Sequence, residues 1–245
     1  MTRVDEHDVP AGPLAVRWLA CDVPVVEAGA PTQAHVELEN AGSAPWRRLS
    51  LSYHWLDERG NPIVWDGIRT AVDAQPGERV RLDASLRGPI PPGRYRLAFD
   101  LVDERRLWLA EVGNHSPAFD VEVVPRNAAS ARAFVPNGVE LAPDWEERVY
   151  VAHTEGYAAV GGSVAYAGGR LRRTTPQELE PYVPGGGRNP AFAHPLVCPS
   201  LIPPVEPNTE VYGLPAWQPE GDEPWLYDGR IAVTLRPRRR SRPPT

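Results

Sequence analysis

The chain contains no lysine; all 26 of its basic residues are arginine, a composition that follows GC-rich coding and implies no mechanism. It has only two cysteines in 245 residues, Cys21 and Cys198, and they fit neither a CxxC motif nor a zinc-knuckle spacing. That excludes a sequence-local redox or zinc motif and leaves free thiols in a reducing compartment as the expectation. No apolar run approaches the roughly 18–20 residues of a membrane span. The opening residues 1–8 are polar and acidic with no apolar stretch behind them, unlike a signal peptide, so a cytoplasmic protein is expected. Nor is there an excess of positive charge. The net charge is −6, which excludes nucleic acid and anionic membranes as general partners. Residues 1–126 carry 14 arginines against 19 acids, and residues 127–245 carry 12 against 13, with five of the latter arginines between Arg236 and Arg242.

What the chain has in excess is proline and glycine, 29 and 21 residues, about a fifth of the whole. Proline breaks helices and glycine weakens them, so this composition predicts turns and short strands. The run from Pro91 to Val102 shows the pattern best. A Pro-Gly turn leads into a strand with Tyr95, Leu97, Phe99 and Leu101 on one face and Arg94, Arg96, Ala98 and Asp100 on the other. It reads as a central, half-buried strand. Around it lie Leu14–Leu19, Gln33–Glu39, Leu49–Trp55, Ile63–Trp65, Val80–Leu86, Leu107–Leu109 and Phe119–Val123, separated by turn residues. Some seven to nine short strands at this spacing predict an antiparallel β-sandwich. Tyr95, just inside its strand, is either a tyrosine corner or an ordinary core tyrosine.

Three turn motifs, Asn40-x-Gly42-x-x-x-Trp46, Pro76-Gly77-Glu78 and Pro89-x-Pro91-Pro92-Gly93-x-Tyr95, carry a resemblance. Residues 14–124 resemble the bacterial immunoglobulin-like modules attached to polysaccharide-biosynthesis and export proteins and to other multidomain bacterial enzymes. They are also loosely similar to the four-tryptophan domain of autophagy receptors. The resemblance implies an immunoglobulin-like sandwich, and a module that binds or positions a partner rather than one that catalyses.

The expected organisation is a disordered lead over 1–13, the sandwich over 14–124 and a linker over 125–136. A smaller, irregular, Pro/Gly-rich β region follows over 137–235, packed on or beside the sandwich, with a disordered Arg/Pro tail over 236–245. Within that region Glu147–Ala152 and Gly162–Tyr166 read as strands, Thr175-Pro176-Gln177-Glu178 as a capping box opening a short helix, and Trp225–Leu235 as a closing strand. The run between Pro184 and Pro224 holds too many large apolar residues for a disordered linker and reads as ordered coil.

Candidate chemistry is sparse. Ser163 lacks the second glycine of a nucleophile elbow. Gly185-Gly186-Gly187-Arg188 is followed by Asn189-Pro190 rather than by the helix a phosphate loop requires. Cys198, His194 and His153 form at most a generic thiol–imidazole set, with no third ligand cluster for a metal. No cofactor is implied. The aromatics are more informative, although core packing is the ordinary role of tryptophan. Trp65 stands at a hairpin end beside Asp66 and Arg69, the pairing of apolar face and hydrogen-bonding rim that a sugar platform needs. Trp217, Trp225 and Tyr227 supply a second aromatic group. The leading expectation is a non-catalytic binding or accessory module for a glycan or a protein partner in polysaccharide biosynthesis, with those six residues as candidate ligand contacts. The alternatives are an enzyme with its site in the 153–228 coil, using Cys198, His194 or Asp228, and a structural module that assembles through edge strands.

Overall fold

Alternation of apolar and polar residues builds the first of two units, Met1–Pro125 and Arg126–Thr245. The computed structural model describes residues 2–129, 131–133, 139–166, 170–172, 200–201, 207–211, 214–217 and 224–235. Among them β-strands predominate, with one short α-helix.

The strands of the first unit are β1 (Thr2–Arg3), β2 (Val16–Asp22), β3 (Val26–Glu27), β4 (Pro31–Asn40), β5 (Trp46–Leu56), β6 (Pro62–Val64), β7 (Thr70–Ala74), β8 (Arg79–Arg87), β9 (Gly93–Asp103), β10 (Leu107–Trp108) and β11 (Ala118–Val124). One sheet runs β1-β2-β4-β8. The other runs β3-β11-β9-β5-β6, with β7 also on β5 and β10 on β9. In β4 the buried residues Ala34, Val36, Leu38 and Asn40 alternate with Gln33, His35, Glu37 and Glu39. The core joins the inner faces of both sheets: Trp18, Val36 and Leu38 from one, Leu51, Trp55, Leu97, Phe99 and Leu101 from the other, all at most 2% exposed. Truncating one such tryptophan to alanine costs about 3–5 kcal/mol, so this cluster carries much of the unit's stability.

Two of the three turn motifs have a common structural cause. Buried Asn40 donates its side-chain amide to the carbonyls of Ala44 (3.0 Å) and Ala74 (3.1 Å), and its oxygen accepts the Gly42 N–H at 3.0 Å. Its backbone exchanges bonds with Glu78 and Gly77 (2.9 and 2.7 Å). One asparagine thus ties two turns together. Tyr95 resolves as a tyrosine corner, its hydroxyl donating to the Pro91 carbonyl at 2.7 Å.

The lead differs from the expectation of disorder. Thr2 and Arg3 pair with Cys21 and Ala20, Val4 packs on the core, and the carbonyls of Gly12 and Pro13 accept the N–H groups of Ser43 and Ala44. The central strand differs too. From Leu97 to Asp103 both faces of β9 are buried, not one, because chain segments cover its outer side.

In the second unit the strands are β12 (Arg132–Ala133), β13 (Val139–Leu141), β14 (Ala159–Tyr166), β15 (Arg170–Arg172), β16 (Ser200–Leu201), β17 (Pro207–Val211), β18 (Leu214–Trp217) and β19 (Trp225–Leu235). They form a sheet in the order β12-β16-β14-β19-β13, with β15 on β14, and a β17–β18 hairpin. The presumed linker begins this unit: Arg126 is buried, its N–H bonding the Thr154 carbonyl (3.0 Å) and its guanidinium that of Gly156 (3.2 Å). The expected strand over 147–152 is instead part of a helix, α1 (Trp145–Glu155). Val149 and Val151 mimic a two-residue period, but the buried residues are Trp145, Val149, Ala152 and His153, one helical face, while Val151 is exposed. Glu146 and Glu147 favour the helix N-terminus, and Gly156 at φ +127° ends it. The capping box at 175–178, most of the 184–224 run and the tail lie outside the described residues.

Candidate functional site

Strand β5 places Ser52 and His54 on the outer face of its sheet, where alternation leads one to expect solvent. Both are buried, at 1% and 4% exposure. Their roof is the connection between β6 and β7, residues 65–69, together with β10 and the 3₁₀ turn Leu109–Val112 that follows it. Gly67 lets the roof lie down. Its N–H bonds the Tyr53 carbonyl at 3.1 Å, and a Cβ there would stand 2.6 Å from that carbonyl oxygen. No residue larger than glycine fits without moving the backbone.

Above this floor three rings meet. Trp65 lies nearly flat on His54, centroids 4.0 Å apart at 19°. Trp108 meets His54 edge-on at 4.4 Å and Trp65 at 6.3 Å. The His54 Nδ1–H donates to the Trp65 carbonyl, which fixes the tautomer and leaves Nε2 unprotonated. Burial holds this imidazole below its ordinary range, and Arg69 adds to that, while the Trp65 carbonyl and Asp66 oppose it. His54 is therefore a neutral spacer that levels the Trp65 indole. The outer face of that indole stays open, for Trp65 is 52% exposed.

Arg69 ties the site together. Its Nε donates to Glu104 at 2.6 Å, Nη1 to Ser52 Oγ and to the Gly67 carbonyl (2.8 Å each), and Nη2 to Asp66. The guanidinium also lies 4.9 Å from the centroid of Trp108, within cation–π range. Four of its five N–H groups are thus committed inside the protein. Burial lowers its pKa, but Glu104 and Asp66 outweigh that and hold the guanidinium above its ordinary value. The Trp108 end is anchored from below by Asp100, which is 1% exposed and accepts the Ala110 N–H at 3.3 Å and the Leu101 N–H at 2.7 Å. Burial pushes the Asp100 carboxyl up to about 7, with Glu111 adding to the rise and the two N–H donors opposing it.

Of the six candidate contacts, the first unit brings together Trp65, Asp66 and Arg69. Trp217 falls on β18, and Trp225 and Tyr227 on β19 opposite Ala159 and Gly161. Their side chains lie outside the described residues, as do Cys198, His194 and the glycine run at 185–187. Sequence reasoning missed His54, Trp108, Glu104 and Asp100. A signal existed for two of them: His54 and Asp100 occupy the polar phase of strands central enough to be covered on both sides. His153 resolves as a core histidine. It is fully buried, donates Nδ1–H to the Tyr157 carbonyl at 2.7 Å, and burial pushes it down to about 4. Cys21 is a buried free thiol pushed up to about 12 by burial, which leaves it unreactive at neutral pH. Among the described residues no group of three or more His, Cys, Asp or Glu is placed to hold a metal, and no helix is long and apolar enough to cross a membrane.

No family model matches the chain, and neither does any curated protein. Among solved structures it is weakly similar to a β-glucosidase from Listeria innocua in complex with gluconolactone, at 15% identity over 44% of this chain and 15% of that one, TM-score 0.30. Trypsin-activated alpha-2-macroglobulin from Escherichia coli matches at 14% identity over 54% of this chain and 9% of that one, TM-score 0.27. The ASH/PapD-like domain of human CEP192 matches at 15% identity over 51% of this chain and 94% of that domain, TM-score 0.23. The chain covers a small part of the first two, and likeness at this level says nothing about activity.

Proposed function

We propose that the first unit is a non-catalytic binding module whose Trp65 face takes a glycan. One observation carries this: an indole half open to solvent, held flat by a buried imidazole, and followed in the chain by Asp66, which shares Arg69 with Glu104. A pyranose ring offers an apolar C–H face and a rim of hydroxyls, and such a plane matches both. Trp65 at 52% exposure also costs the folded protein apolar surface in water, which a ligand would remove. The resemblance of residues 14–124 to immunoglobulin-like modules of polysaccharide-biosynthesis proteins supports an accessory role in that setting. A reducing, cytoplasmic compartment goes with it, supported by Cys21 as an unbridged thiol.

The test is a calorimetric titration of the whole chain with a panel of oligosaccharides, for the natural sequence and for Trp65→Ala. Saturable binding that weakens about 5- to 30-fold in the variant is the expected result, since an aromatic stacking partner contributes on the order of 1–2 kcal/mol. Binding unchanged in Trp65→Ala would move the site elsewhere. No heat with any sugar would end the glycan reading.

A further inference from the structure

The charge around Trp65 is not neutral, and its asymmetry bears on which sugar fits. Among the described residues Arg69 is the one cation bonded into the ring cluster, and it faces inward, 28% exposed with four of five N–H groups committed. Its two acidic partners face outward: Asp66 is 71% exposed and Glu104 52%. Each carboxylate has about four acceptor positions, and the guanidinium occupies only part of them. Both acids contact the same guanidinium, so they stand side by side, forming an acidic edge that begins at Asp66, the residue after Trp65. On the adjoining turn Arg106 is paired with Asp103 at 2.9 Å, and Glu111 accepts the Trp108 N–H at 3.1 Å. A ligand stacked on Trp65 therefore meets acceptors and negative charge from this pair, with exposed Arg105 following Glu104 on the turn.

We propose that this edge selects sugars bearing a free amine, with the ring stacked on Trp65 and the ammonium received by Asp66 and Glu104. The inference rests on the glycan reading and adds the sign of the ligand's charge. An ammonium over or beside an indole gains from the ring's negative face as well as from the two carboxylates. A uronic acid or phosphate at the same place meets like charge and finds Arg69 already bonded.

The measurement compares three oligomers of equal length on the full chain, at about pH 6, where an amine of ordinary basicity is charged. They are a deacetylated chitin oligomer, its N-acetylated counterpart and an oligogalacturonate. The amine form should bind about 3- to 10-fold tighter than the acetylated form, and the acid should bind more weakly than either. Added salt should shrink the amine preference, because the carboxylates are solvent-exposed. In Asp66→Asn the ratio of amine to acetylated affinity should fall toward one, a comparison that needs no assumption about absolute affinity. Equal binding of amine and acetylated forms would overturn the charge inference and leave the glycan reading standing. Preferential binding of the acid would overturn it as well and direct attention to Arg105 on the turn. An amine preference that persists in Asp66→Asn and in Glu104→Gln would place the ammonium elsewhere and also overturn it. Binding of none would end both readings.

Discussion

The two outer faces of the sandwich obey the same strand alternation and end in opposite states. On the β2-β4-β8 face the outward residues include a charged ladder whose arginines reach into water over half-buried Glu37 and Glu39. Arg17 and Arg79 flank Glu39 at 2.7 and 2.9 Å, Arg81 reaches Glu37 at 3.4 Å, and His35 meets Asp83 at 2.6 Å. This ladder pairs its own charges and leaves no apolar surface to cover. The β5-β9 face carries Ser52, His54, Ala98 and Asp100 outward, which are small, weakly polar or singly acidic, and a roof of two loops buries them. A strand face that cannot pair its own charges needs a cover, and the cover brings Trp65 and Trp108 with it. The open side of that cover is the candidate site.

Asp100 gives the largest way to break this contrast. Its carboxyl lies near 7 in the folded chain against about 3.8 unfolded, so the folded state holds the proton more tightly. Stability from this group is full below the unfolded value and is lost as pH rises through the folded one. The loss across that window is at most about 4 kcal/mol. Asp100→Asn should abolish this contribution, so the difference in unfolding free energy between variant and natural chain should grow with pH and level off above about 7. The difference is the right measurement, because His54 and His115, held low by burial, slope the opposite way. A difference independent of pH would show that the roof leaves Asp100 solvated.

Gly67→Ala comes next. Its Cβ would meet the Tyr53 carbonyl oxygen at 2.6 Å and the Tyr53 ring carbons at 2.7 and 2.8 Å, so the roof must lift. A cost of about 1–3 kcal/mol in chemical denaturation is expected, together with loss of any Trp65-dependent sugar binding. Full stability and full binding in this variant would mean that the 65–69 connection does not need to lie on β5.

The sandwich was largely legible because burial follows alternation wherever one face meets a core: Ala34, Val36 and Leu38, or Leu97, Phe99 and Leu101, can be read off directly. The motif at Asn40 was visible as a turn, though not as a tie between two turns, since its partners at Ala74 and Glu78 are remote in sequence. The candidate site was half legible. Trp65, Asp66 and Arg69 are local neighbours and declared themselves. Trp108, Glu104 and Asp100 join them because β9 pairs with β5, setting Asp100 opposite Ser52, a long-range pairing that alternation does not encode, and the short β9–β10 hairpin then brings Trp108 over that face. The helix at 145–155 was misread for the converse reason: two valines at alternate positions outweighed a buried face spaced at four and three residues.

The smallest effect belongs to the open face. Glu39 is the busiest carboxylate of the ladder and is itself only 13% exposed, yet its partners are exposed, Arg17 at 48% and Arg79 at 65%. Pairs of this kind are screened and hold two long side chains at an entropic cost. Glu39→Gln should therefore lower stability by less than about 1 kcal/mol, and the loss should shrink as salt is added. It should leave binding at Trp65 untouched, because the two faces share no side chain. A loss above about 2 kcal/mol that resists salt would show the ladder to be as structural as the roof. The contrast would then lie in charge alone and not in how each face is stabilised.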